Sequence, residues 1–168
     1  MLALSLIIIG IVLRFAPHAP NVTPVAAIAL FGSVYLKRNV ALMLPLALMM
    51  VSDIFIGMHD VVAFTWGSFI LTAMIGLWIK QQRTLTRIMI GSCAASLLFF
   101  VISNFGVWAM GWYPKTLQGL FDCYIMAIPF LRDFTVSTLA YSAVFFGAYE
   151  FIAQRVKGSK LAFVLLRK

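Results

Sequence analysis

Polar residues are scarce along this chain and fall between six almost wholly apolar stretches, residues 1–16, 23–36, 40–57, 61–79, 88–111 and 133–153. Runs this long, apolar on every face rather than along one stripe, predict helices, because a backbone kept from water must satisfy its N–H and C=O groups within the segment. The connectors are short apart from residues 112–132. There "TLQGLFDCYIMAI" carries Asp122, is short for a crossing, and runs into Pro129, so it predicts an ordered loop holding one short helix. The fold class expected is all-α: an integral membrane bundle of six transmembrane helices forming a single domain over residues 1–168, with a basic tail at 154–168.

Composition explains why the bundle needs lipid around it. The chain is 63% hydrophobic and 11% charged, with a mean hydropathy of +1.02, against about 45–50% apolar and about 25% charged for a soluble domain. At 168 residues no water-soluble core could hide that surface. A net charge of +8 could point to nucleic acid, but basic residues spread over loops and a tail are the pattern that sets membrane orientation, and nucleic acid is not expected as a partner. Lys37, Arg38, Lys80, Arg83, Arg87, Arg155, Lys157, Lys160, Arg167 and Lys168 would share one face, and Arg14, Lys115 and Arg132 the other. This asymmetry puts both termini in the cytoplasm and the chain in a cytoplasmic membrane. A seventh span at 117–131 would throw the basic tail outside, so the charges argue for six. The first run has no basic residue ahead of it, and Pro17 follows Ala16 where a cleavage site would be sought, so it reads as a retained span. Cys93 and Cys123 sit in separate segments without a CxxC pattern and read as buried structural thiols.

The outward connectors are then "PHAPNVTP", "GMHD" and residues 112–132, which hold both histidines and the Trp112–Tyr113 pair. Asp53 lies about a turn from the outer end of span three and Asn104 about two turns below the outer end of span five. Thr65, Trp66, Thr135, Ser137 and Thr138 share that outer half, a pattern that suggests a polar pocket open to the outside. Asp53 and Asn104 each have a second reading, as hydrogen-bonding groups between helices. Trp108, Trp112 and Tyr113 suit an interfacial belt, or, with Lys115 and Arg132, the wall and rim of a small-molecule site. His18, Asn21 and His59 join the candidate substrate contacts, though loop hydrogen bonding serves the histidines and a turn between Pro20 and Pro24 serves Asn21. No metal site or resident cofactor is expected. Ala26, Ala29 and Ser33 form a small-residue stripe that packs within the bundle or docks a partner membrane protein. No GxSxG, Walker A, HExxH or paired-carboxylate pattern is present, so neither an enzyme nor a self-energised pump is expected.

The blocks "RFAPHAPNVTPVAAIALFGSVYL", "LMMVSDIFIGMHD" and "SNFGVWAMGWYPKTLQGLFDCYIMAIPF" resemble those of a family of small bacterial membrane proteins described as S-component-like. Six spans with a pocket under the outward loops likewise resemble the substrate-binding S-components of energy-coupling factor (ECF) vitamin transporters. The resemblance implies capture of a vitamin or similar trace nutrient at the bacterial inner membrane, then docking onto a transmembrane coupling subunit with its ATPases. S-components often carry an AxxxA face on the first span, which "MLALSLIIIG" lacks. Members that bind vitamin B12 make cobalamin the first substrate expected, with His59 or His18 as a possible cobalt ligand. Two alternatives are a membrane enzyme or assembly factor holding a lipid or cell-wall precursor phosphate at Lys115 and Arg132, and a structural subunit docking through span two.

Overall fold

The computed structural model describes residues 1–15 and 21–157. Among these residues the chain forms six helices and no strand: α1 (Leu2–Phe15), α2 (Val25–Tyr35), α3 (Arg38–Ile56), α4 (Val62–Gln81), α5 (Leu85–Ala109) and α6 (Leu117–Val156). The four from α3 to α6 are long and apolar enough to cross a bilayer. α1 and α2 have 14 and 11 residues, roughly 21 and 16 Å at the α-helical rise, less than the roughly 30 Å of hydrocarbon. Each of the six expected segments is thus helical, four within helices long enough to cross a bilayer and two in short helices. Hydropathy marks apolar chain, not helical backbone, and Pro24, with its fixed φ and no N–H, stands at the start of α2.

α2 is the axis of the fold. All ten residues from Val25 to Val34 are buried, and the helix contacts each of the other five. Small side chains permit this. A Cβ at Gly76 of α4 would fall 2.6 Å from Ser33 Cβ and 2.7 Å from the Leu30 carbonyl oxygen, so the backbones of α2 and α4 nearly touch there. Ala26, Ala29 and Ser33 are wholly buried. This stripe therefore packs inside the bundle, and a partner's helix has no path to it.

The expected 112–132 loop is also corrected. α5 stops in a Schellman-type turn: the Gly111 N–H donates to the Trp108 carbonyl (3.0 Å) and the Trp112 N–H to that of Val107 (3.3 Å). Gly111 takes φ +90°, a conformation open to glycine. Thr116 then caps α6, its Oγ1 accepting the Gly119 N–H at 3.1 Å, and the helix runs 40 residues straight through Pro129. The short helix and the sixth span are one element, because proline removes a single helical hydrogen bond while contacts hold both flanks to α5. Tyr124 Oη donates to the Val101 carbonyl at 2.7 Å, Phe134 stacks on Phe99 at 4.5 Å, and Ser92 Oγ donates to Ser142 Oγ at 3.0 Å. Residues 124 and 134 are about 15 Å apart along α6, yet both meet α5 near residues 99–101. The two helices therefore part company around Pro129, and the gap becomes part of the site.

At the other end of the bundle Lys80 Nζ donates to the Leu36 carbonyl at 2.7 Å, Arg83 lies 5.6 Å over the Tyr35 ring, and Tyr35 Oη donates to Glu150 at 3.1 Å. These contacts gather the connection after α2, the end of α4 and the last turns of α6, bringing Lys37, Arg38, Lys80, Arg83, Arg155 and Lys157 to one end.

Candidate functional site

The shortness of α2 leaves space over its first turn. A cavity of about 370 Å³ is lined there by Arg14 of α1, Asn21 and Thr23 of the following connection, Val25, Met49 of α3, His59, Thr65 and Phe69 of α4, Phe99 of α5 and Phe134 of α6. Met49 and Phe69 each lie seven residues inside the cavity-side end of their helix, so α2 begins about two turns below the rim. A second cavity, about 220 Å³, shares Asn21, Thr65, Phe99 and Phe134 and extends into the gap by Pro129, past Phe100, Ser103, Asn104, Val107, Phe130 and Leu131. Phe69 and Phe99 pack at 5.1 Å between centroids. With the Phe99–Phe134 stack they make a continuous aromatic wall.

The floor is fixed by backbone contacts. The Thr23 N–H donates to Ser137 Oγ at 2.9 Å, and that hydroxyl donates back to the Thr23 carbonyl at 3.1 Å, clipping the connection to α6. Asn21 sits at φ +62°, which asparagine tolerates better than most side chains. Thr23 is 7% exposed, and among the described residues its Oγ1 has no hydrogen-bond partner; nor does the buried Nε of Arg14.

Asp53 stands behind the wall rather than in it. It is 2% exposed, and Trp66 Nε1 donates to its Oδ2 at 2.8 Å, with Ser52 Oγ 3.4 Å from Oδ1. Gly57, at φ +120°, ends α3 by donating its N–H to the Asp53 carbonyl at 2.9 Å. His59 Nε2 lies 3.9 Å from Oδ2, so this carboxylate backs a side chain that lines the cavity. Its charge also attracts Arg14, although no carboxylate among the described residues comes within 4 Å of that guanidinium.

Of the residues expected at the site, the structure brings together Asn21, His59 and Asn104, with Asp53 one shell behind. Asn104 Nδ2 donates to the Phe100 carbonyl of its own helix at 2.8 Å. His18 lies outside the described residues. Trp108, Trp112, Tyr113, Lys115 and Arg132 line neither cavity. Trp108 Nε1 instead donates to the Pro114 carbonyl at 3.0 Å and pins the α5–α6 connection. Trp112 is 68% exposed, because the glycine-based stop of α5 turns the chain away from the bundle before it. Among the described residues no group of three or more His, Cys, Asp or Glu side chains could hold a metal ion.

Sequence reading missed Arg14, which entered only as a topology charge. An ionisable group at the end of an apolar run was the available signal. Thr23, Met49, Phe69, Phe99 and Phe134 gave no signal of their own in a chain with 15 phenylalanines and 9 methionines. Comparison with curated proteins and with solved structures yields no match. One family model does match, over residues 1–161 and so across all the elements that build the cavity, and the chain belongs to that family, DUF6580, a family of unknown function.

Proposed function

We propose that this protein is the substrate-binding component of a membrane uptake system, holding a vitamin-like trace nutrient in the cavity over α2, with import driven by a separate ATP-dependent module. The observation that carries the reading is the lining: one partly open cavity receives side chains from all six helices, and sets a phenylalanine wall against Arg14, Asn21, Thr23, His59 and Thr65. Apolar walls with a few converging polar groups are the usual makeup of a small-molecule site. In this reading α1 and α2 complete six passes, the basic end faces the cytoplasm with both termini, and the cavity opens outward from a bacterial cytoplasmic membrane.

A cavity of about 370 Å³ favours a nutrient well below the size of cobalamin, whose corrin ring and nucleotide tail exceed it several-fold. An enzyme built on Lys115 and Arg132 gains no support, since neither reaches the cavities, and a subunit docking through α2 loses its surface to burial. The test is native mass spectrometry of the detergent-purified full chain with a thermal-shift screen of vitamins, cobalamin and cobinamide included. A retained or stabilising ligand is expected, adding about 2.7 kcal/mol at a hundredfold excess over Kd. Folded protein that carries nothing and responds to no member of the panel would sink the reading.

A further inference from the structure

The geometry points to a small organic anion as the occupant of this cavity, its carboxylate or phosphate seated over the start of α2 and its apolar body against the phenylalanine wall; this rests on the binding reading above. The charges leave little choice of sign. Neither cavity is lined by an acidic residue, and Arg14 is the permanent charge in the larger one. Arg14 cannot shed its proton, its shielded Nε donates to nothing, and the nearby Asp53 carboxylate already accepts from Trp66 and Ser52.

Two independent features add to Arg14. α2 begins without a side-chain cap at Pro24, so the first-turn N–H groups of Val25, Ala26 and Ala27 have no carbonyl one turn back to accept them. They concentrate positive potential where Val25 meets the cavity. Beside them Thr23 lines the cavity, its hydroxyl buried beneath the surface and without a partner among the described residues. A guanidinium and a helix N-terminus beside one space match the oxygens of a carboxylate or phosphate. The stacked Phe99 and Phe134 rings with Phe69 supply an apolar surface for the remainder of the ligand.

The experiment uses the full chain in detergent and matched acid and neutral probes: nicotinate with nicotinamide, pantothenate with pantothenol, biotin with biotinamide, and pyridoxal phosphate with pyridoxal. Thermal shift and calorimetry are expected to show binding of at least one acid and a clear preference over its neutral partner, with the phosphate pair separating that chemistry from the carboxylates. Arg14→Gln should weaken the acid roughly 30-fold, the size of one charge-assisted hydrogen bond, and erase the preference. Arg14→Lys, which keeps the charge, should retain it, and Thr23→Val should weaken it less than Arg14→Gln does. A neutral probe binding as well as its acid, or an acid preference surviving in Arg14→Gln, would overturn the anion assignment while leaving the uptake reading intact. No response to any acid would overturn the assignment as well; the uptake reading is judged separately, by mass spectrometry, which registers a retained ligand of any charge.

Discussion

At its C-terminal end α2 runs into a closed aromatic cluster: Tyr35 lies 3.9 Å from Tyr149, Phe31 packs on Phe145 and Phe146 at 5.9 and 5.3 Å, and Arg83 covers the Tyr35 ring. At its N-terminal end the same helix begins under a cavity that also combines phenylalanines with an arginine. The residue types at the two ends are alike, and the difference lies in their partners. Lys80 has the Leu36 carbonyl, Arg83 the Tyr35 ring and Arg155 the Phe151 ring. Arg87 keeps an unpartnered Nη1, but it stacks on Trp78 and borders neither cavity. Around Val25 an arginine nitrogen, a threonine hydroxyl and a helix start are all unmatched among the described residues, beside an open cavity. The C-terminal end of α2 is finished as structure, and the N-terminal end leaves donors unmatched near a cavity.

Six substitutions probe that contrast. Gly76→Val should have the largest effect, since its Cβ meets the backbone of α2 rather than a yielding side chain; the expected outcome is little or no monodisperse protein on size-exclusion chromatography. Phe31→Ala should hollow out the inner cluster and cost about 3 kcal/mol in thermal or denaturant unfolding while ligand affinity stays put; a loss of affinity at unchanged stability would erase the distinction between the ends. Trp66→Phe should cost about 2 kcal/mol by stripping a donor from buried Asp53. Adding Asp53→Asn should recover part of that, because an amide is cheaper to bury than a carboxylate. Trp112→Ala with Tyr113→Ala should change ligand affinity less than about twofold, as neither ring lines a cavity; a marked loss would move the α5–α6 connection back into the site.

The helical bundle was legible from the apolar runs, and the ends of α3, α4 and α5 fall within a few residues of their expected positions. α6 was not, because Pro129 and Asp122 look like loop residues until the Tyr124 and Cys123 contacts to α5 are known. Asp53, His59, Asn104 and Asn21 were legible as polar groups out of place in apolar chain or beside prolines. The aromatic wall was not, since a phenylalanine facing a cavity and one facing a neighbouring helix look the same in sequence. Trp112 and Tyr113 misled for the converse reason: conspicuous chemistry at a helix end draws attention, and one glycine at φ +90° turns it away from the cavity.

The unequal helices also bear on the lipid around the protein. α6, at roughly 60 Å, packs along α5, at roughly 37 Å, and also meets α1, at roughly 21 Å with Ile8, Ile9 and Val12 exposed. In a bilayer such a molecule meets the lipid with helices of unequal length. The membrane must thin beside α1, or the molecule must incline until the long pair slants across it, and either response costs fractions of a kcal/mol per Å of mismatch. Bilayer thickness thereby becomes a variable that sets the protein's resting tilt, and lipids of different chain length are a means of changing it without altering a residue.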